Sequence, residues 1–283
     1  MAETLNTDRE NVTLILGGTG KTGRRVAEKL VDRNVSVRIG SRSANPAFDW
    51  NDPQTWDAAL EGVTAAYITY APDLAIPGAT KTIQAFVDRA VARGVQRLVL
   101  LSGRGEEEAQ ACEQIVQASG VESTIVRASW FNQNFSEGDF VGMVLDGTIA
   151  LPADDIPEPF VDVDDIADVV VAALTDARHA GEVYEVTGPR LLTFTQLAAE
   201  ISTAAGRDVR FVQIPPQAFA AGIAESGAPK EVAWMLNYLF ATVLDGRNAY
   251  LSDGVKRALG REPTDFADFA RRVAASGAWS AAA

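Results

Sequence analysis

The run Val12-Thr-Leu-Ile-Leu-Gly-Gly-Thr-Gly-Lys-Thr-Gly-Arg-Arg-Val26 constrains this chain more than any other segment. Apolar and β-branched residues lead straight into Gly17, Gly20 and Gly23, and a helix-forming stretch, Arg24 to Val31, follows at once. The spacing predicts a strand, a tight turn and a helix N-terminus. Glycine permits φ > 0 and removes the Cβ that would strike a close ligand. The free N–H groups and the dipole of a helix N-terminus attract an anion. The strand before and the helix after are the context that a dinucleotide-binding turn requires. Gly17, Gly18, Thr19, Gly20, Lys21, Thr22 and Gly23 are therefore the candidate cradle for a pyrophosphate.

The rest of the first half repeats this rhythm. Strands are expected at Val12–Leu16, Val35–Ile39, Ala65–Thr69, Leu98–Leu101 and Thr124–Val126. Helices are expected at Thr22–Asp32, Gln54–Leu60, Ala79–Arg93 and Glu106–Ala118, with Gly94 and Gly120 as stop signals. Alternation of this kind implies right-handed crossovers and a parallel sheet covered on both faces. The fold expected is α/β, a Rossmann-type doubly wound parallel sheet with a smaller, mostly helical C-terminal lobe. One NAD(P)-binding domain would span 1–283, its core over about 1–150 and the lobe beyond. After Arg127 the pattern predicts a loop then helix over Phe131–Leu145 and a loop over Leu151–Pro159. Helices follow at Val163–Thr175 and Phe194–Ala205, and strands at Val183–Val186 and Val209–Val212. Further helices are expected at Gln217–Ala224, Glu231–Leu244 and Phe266–Ala275.

A formal net charge of −13 argues against nucleic acid or an anionic membrane as partner. The lone Cys112 fits a reducing cytoplasm, where we place the protein. With one cysteine and one histidine, His179, no zinc or haem site is expected; His179 reads as a loop residue. The N-terminus is polar and no apolar run nears the length of a membrane span.

Ligands in open α/β sheets bind beyond the carboxyl ends of the strands. After the second strand comes Arg38-Ile-Gly-Ser-Arg42-Ser43, with no acid to hold a ribose 2′-hydroxyl. Arg42, with Ser41, offers donors to a 2′-phosphate, which favours NADP over NAD; a solvated loop arginine is the plainer alternative. Asp49 is the candidate acceptor for the adenine amino group, and Asp52 caps the helix that opens at Pro53. Thr69, Tyr70 and Ala71 after the third strand, and Ser102 and Gly103 after the fourth, would border the cofactor. Ser102 either hydrogen-bonds ligand or is simply a small turn residue. Trp130 and Phe131 either stack on a flat substrate or belong to the core, with Asn132 and Asn134 as substrate donors. Trp234 and Tyr238, four apart on one helix face, read as a core stripe in preference to a pocket lid. The acids Asp162, Asp164, Asp165 and Asp168 suit a helix N-terminus better than a metal.

These residues together resemble the atypical short-chain dehydrogenase/reductase superfamily in its NmrA-like branch. The likeness rests on Gly17–Gly23, on Ser102 after Leu-Val-Leu-Leu, and on Ala128-Ser-Trp-Phe-Asn-Gln-Asn-Phe135. Pro159-Phe-Val-Asp-Val-Asp-Asp-Ile-Ala167 and Tyr184-Glu-Val-Thr-Gly-Pro189 extend it almost end to end. Gly40–Pro46 with Phe48-Asp49-Trp50 is similar to the festuclavine and agroclavine dehydrogenase type, and quinone oxidoreductase-type members are also similar. The resemblance implies NAD(P) in the glycine crevice, a substrate pocket under the C-terminal lobe, and hydride transfer to a hydrophobic polycyclic, quinonoid or iminium molecule, plausibly in secondary metabolism. One departure stands out: no tyrosine has a lysine four residues later, so the usual proton relay is absent. Ser102, Glu113 and Tyr70 are the candidate catalytic replacements. A dinucleotide-sensing regulator and an auxiliary protein to a pathway monooxygenase or cyclase are the rival readings.

Overall fold

The computed structural model describes residues 11–138, 140–153 and 155–280. β1 (Val12–Leu16), β2 (Val37–Gly40), β3 (Val63–Ile68), β4 (Arg97–Gly103), β5 (Glu122–Ala128) and β7 (Val183–Val186) form one parallel sheet in the order β2-β1-β3-β4-β5-β7. β6 (Thr148–Leu151) and β8 (Arg210–Gln213) pair parallel in a second, small sheet.

Strand side chains alternate between faces, and the core divides accordingly. Leu14, Leu16, Ala66, Ile68, Leu98 and Leu100 pack against α3 (Ala79–Ala92) and α4 (Glu107–Gln117) through Ile83, Phe86, Cys112 and Val116. Ile15, Tyr67, Val99 and Val126 pack on the other face against α1 (Lys21–Val31) and α6 (Val163–Thr175). Covering both faces requires the near-continuous apolar strands read from the sequence; every residue of β1 is buried. The chain runs from β1 outward to β2 and then returns to the far side of β1 as β3. That reversal opens a crevice at the carboxyl ends of β1 and β3, the place where doubly wound sheets bind ligands.

A third core cluster holds the C-terminal lobe together. Phe135, Phe160, Phe194, Phe240, Phe266, Phe269 and Trp279 interlock there. It is built from α5 (Val141–Leu145), α7 (Phe194–Ala205), α8 (Pro216–Glu225), α9 (Lys230–Tyr238) and α11 (Phe266–Ala275). α6, β7, α7 and α11 have the bounds expected from sequence. Asp162 caps α6 by accepting from the Asp164 amide at 2.9 Å, and Thr193 and Gln196 form a capping box on α7.

Four details depart from the expectations. Thr148–Leu151 is a strand in a stretch left unassigned, and Leu151 ends it instead of opening the loop expected there; four residues carry too little periodicity to announce themselves. α10 (Gly254–Leu259) was not anticipated: its apolar content is short, and it is set by tertiary packing, since a Cβ on Gly254 would lie 2.0 Å from the Glu185 carbonyl oxygen. The helix expected over Glu231–Leu244 is α9 followed by a π-helical turn, Leu239–Val243. Trp234 and Tyr238 do share a helix face, stacked at 5.2 Å, but they are not a core stripe: Trp234 is 41% exposed.

Candidate active site

The glycine turn is a backbone construction. Gly17 has φ +61°, and a Cβ there would lie 2.3 Å from Thr69 Oγ1. Thr69 needs that space: its hydroxyl donates to the Leu16 carbonyl at 2.9 Å and ties the end of β3 to the end of β1. A Cβ on Gly23 would lie 2.2 Å from the Gly17 carbonyl oxygen, so helix and turn could not close. Gly17, Thr19 and Gly20 are exposed, whereas Gly18, Thr22 and Gly23 are buried beneath them. Thr22 lies against the Tyr67 hydroxyl. Gly20 leads into α1 with no capping side chain, and the first turn of the helix has no acid. An exposed, uncapped helix start behind a glycine turn leaves N–H donors and positive potential for an anion. The residues present therefore fit a pyrophosphate.

Beyond β2, Arg42 is exposed and makes no contact among the described residues, and Ser41 and Ser43 face each other at 3.3 Å between hydroxyls. Asp52 caps the short 3-10 turn Pro53–Thr55 by accepting from the Gln54 amide at 3.1 Å. The Asp49 carboxylate is partly occupied, accepting from the Asn51 amide at 2.9 Å, while its carbonyl accepts from the Trp56 indole at 2.8 Å. Asp49 lies in the same aromatic corner as Trp50, Phe48 and Trp56.

A cavity of roughly 300 Å³ opens beside the turn. Its floor is the ends of β3, β4 and β5, represented by Thr69, Tyr70, Ser102, Gly103, Ala128 and Ser129. Met235, Leu236, Leu239 and Val243 of α9 and the π turn form the roof. Trp130, Phe131 and Asn134 line one side, and Lys21 connects it to the glycine turn, donating to Asn134 Oδ1 at 3.1 Å. Trp130 belongs to both readings at once: it faces the cavity and packs on Phe240 at 5.0 Å. Ala71 is exposed and does not line the cavity. Asn132 lies outside it too. It is wholly buried behind the wall, its side-chain N and O without hydrogen-bond partners among the described residues, so the donor role toward substrate passes to Asn134.

Ser102, buried at 4% exposure, reaches the cavity from β4. Its hydroxyl donates to Glu113 Oε1 at 2.6 Å. Glu113 does not line the cavity; it is buried behind Ser102 and held by Arg127, whose Nε donates to the same oxygen at 2.8 Å. Arg127 also reaches Glu185 at 2.8 Å. Glu113 therefore orients Ser102, and cannot touch substrate from this position. Tyr70 borders the cavity and meets the Trp50 ring edge-on at 5.1 Å.

Two acids of the cavity lining escaped the sequence reading: Asp73 and Glu106. Their carboxyl groups lie close enough for Asp73 to raise the proton affinity of Glu106. They come from separate loops, after β3 and before α4, and no local spacing links them. The available signal was their place just past strand ends, where ligands bind.

Residues 9–270 match the NmrA-like family. Agroclavine dehydrogenase of Claviceps fusiformis is 34% identical over 279 residues, covering 90% of this chain and 95% of that protein. Prestalk A differentiation protein A of Dictyostelium discoideum is 30% identical over 277 residues, covering 92% and 91%. The NADPH-dependent quinone oxidoreductase of Escherichia coli, solved with NADPH, shares the fold at a TM-score of 0.76 and 21% identity, covering 93% of this chain and 99% of that one. The glycine turn, the strand ends and the cavity all fall within the matched residues, and the chain belongs to the NmrA-like family.

Proposed function

We propose that this protein is an NADPH-dependent reductase of a flat, hydrophobic, conjugated small molecule, a quinone, enone or iminium compound, in secondary metabolism. The observation that carries this reading is the junction at Lys21. There an exposed, uncapped helix N-terminus behind a glycine turn adjoins a half-apolar cavity at the ends of β3 to β5. The names of one relative, agroclavine dehydrogenase, and of one structural neighbour, an NADPH-dependent quinone oxidoreductase, accord with this reading.

Bound dinucleotide would supply hydride. The chain's own part is to hold and orient. Gly17, Gly18, Thr19, Gly20, Lys21, Thr22 and Gly23 cradle the pyrophosphate, and Arg42 with Ser41 meets the 2′-phosphate. Asp49 keeps one carboxylate oxygen for the adenine. Thr69, Tyr70, Ser102 and Gly103 border the nicotinamide half. Trp130 and Phe131 present ring faces to a flat substrate, Asn134 orients it, and the roof of α9 excludes water. NAD is the alternative cofactor.

Steady oxidation of NADPH by a panel of quinones, enones and iminium salts tests the reading. Turnover with at least one class supports it. Tight binding of NADPH without turnover across the panel replaces it with a dinucleotide sensor, and turnover only on adding a pathway enzyme replaces it with an auxiliary role.

A further inference from the structure

Glu106 is placed by a glycine. Its side chain folds back over the end of β4, where a Cβ on Gly103 would lie 2.1 Å from Oε1, 2.4 Å from Cδ and 2.5 Å from Oε2. The carboxyl lies flat on the bare backbone of Gly103 at the cavity wall, and the residue is only 6% exposed. Its Oε2 is sealed from solvent and receives no N–H or O–H donor among the described residues. Such a buried acceptor is costly unless a proton or a ligand satisfies it.

The neighbour is another acid. Asp73 accepts from the Ala75 amide at 2.8 Å, which fixes one of its oxygens, and it lines the same cavity wall as Glu106, close enough for its charge to act on that carboxyl. Two carboxylates are both acceptors, so a hydrogen bond across such a pair requires one proton between them. Burial raises the affinity of both groups for a proton, Glu106 well above the ordinary carboxylate range, and repulsion from Asp73 and from Glu113 adds to it. Like-charged carboxyls sharing one site behave this way generally.

Among the described residues no salt bridge reaches either acid. Arg104, the nearest arginine in sequence, turns away to Glu185 at 3.5 Å and to the Asn248 and Tyr250 carbonyls. Glu113 is held by Arg127, and Lys21 donates to Asn134 across the cavity. From α4, burial and the charges of Glu108, Glu113 and Asp73 push the Cys112 thiol up to about 12, so it stays protonated. From α9, the Tyr238 hydroxyl is likewise raised, first by burial and then by Glu106, while Arg247 opposes the shift.

Resting on the reductase reading above, we infer that Asp73 and Glu106 hold one shared proton at the cavity wall and deliver it to the substrate oxygen during reduction. The pair takes the place of the missing tyrosine and lysine. Hydride from the reduced nicotinamide dinucleotide adds at one end of a conjugated carbonyl acceptor. The π pair shifts to the carbonyl oxygen, that oxygen takes the proton, and the O–H bond within the acid pair breaks. The dinucleotide leaves oxidised, the substrate leaves reduced by two electrons, and the pair regains its proton from water.

Two acceptors separate this role from its rivals. A quinone needs a proton as well as hydride; a triarylmethyl cation needs hydride alone. In Glu106→Gln the ratio of quinone to cation turnover should fall on the order of 100-fold, and Asp73→Asn should lower the same ratio. The quinone rate of the native protein should decline as pH rises through the titration of the pair, and Glu106→Gln should lose that limb. At neutral pH the native protein should give the infrared carbonyl band of a protonated carboxylic acid that Glu106→Gln removes, while NADPH binding, followed by fluorescence, stays in place. Equal losses for both acceptors, or a larger loss for the cation, would overturn the proton-delivery role. So would an unchanged infrared band. Failure of the native protein to reduce either acceptor overturns the reductase reading itself, which is a different result from normal reduction that Glu106→Gln leaves untouched.

Discussion

The glycine turn and the cavity beside it are built in opposite ways. The turn is made of backbone: consecutive residues, no side chain essential to its shape, and an exposed surface at Gly17, Thr19 and Gly20. The cavity is made of side chains from separate parts of the chain, braced from beneath by buried ions. Ser102, Glu113, Arg127 and Glu185 bridge β4, α4, β5 and β7 in one network. The difference implies a division of labour. Changes in the cavity's support should be felt first in stability, and changes in the turn first in binding.

The largest effect should come from the network. Glu113→Leu leaves the Arg127 guanidinium without its main partner at a half-buried site. Removing one member of a buried pair costs about 3–5 kcal/mol, visible as a fall in the urea midpoint. A loss under about 1 kcal/mol would mean that the brace is not what holds the cavity floor.

Glu158 gives the next largest effect, with a sign that depends on pH. It is fully buried, neither carboxyl oxygen has a hydrogen-bond partner among the described residues, and burial lifts its pKa from 4.5 to about 7, with Arg104 opposing and Asp245 adding to the rise. The folded state prefers the neutral acid. Stability from this group is therefore complete below pH 4.5 and is lost as pH rises through about 7. Glu158→Gln stays neutral throughout. It should match the native protein near pH 4 and exceed it by roughly 3 kcal/mol near pH 8, read from urea unfolding at both values. A parallel pair of stability curves would contradict the assignment.

Within the turn, Gly23→Ala and Gly20→Ala sharpen the comparison. A Cβ on Gly23 meets the Gly17 carbonyl at 2.2 Å, whereas on Gly20 the nearest atom is that same oxygen at 3.2 Å. Gly23→Ala should cost about 1–3 kcal/mol of stability and most of the NADPH affinity. Gly20→Ala should keep its melting temperature and lose affinity alone. Equal thermal shifts would erase the distinction between a glycine that closes the turn and one that faces the ligand.

The same contrast explains what could be read in advance. Gly17–Gly23 was legible because strand, turn and helix are adjacent and each glycine has a local reason. α6, α7 and β7 were legible because apolar period and capping residues agree, as at Asp162 and Thr193. Asp73 and Glu106 were not legible as a pair, because only the folding of two loops past β3 and β4 brings them together. Glu113 was readable only as a candidate catalytic acid, because the guanidinium that holds it behind Ser102 and away from the cavity comes from β5. Asn132 and Asn134 looked alike in sequence; a short 3-10 turn, Asn132–Phe135, sends one behind the wall and the other to Lys21.

The smallest expected effect is the most selective. Arg42 is exposed and makes no contact among the described residues, so Arg42→Ala should leave the urea midpoint within about 0.5 kcal/mol of native. A guanidinium that meets a phosphate contributes a charge-assisted hydrogen bond. Its loss should therefore weaken NADPH binding about tenfold or more, equivalent to ~1.4 kcal/mol, and leave NADH binding nearly unchanged. Titration of both dinucleotides into native and variant protein at two salt concentrations reads this directly, because a phosphate contact weakens as salt rises. If both dinucleotides weaken equally, Arg42 acts on the shared part of the cofactor and the preference for the 2′-phosphate must come from elsewhere in the loop after β2. If neither weakens, the exposed arginine is only solvated surface, and the absence of an acid at this strand end no longer distinguishes NADP from NAD.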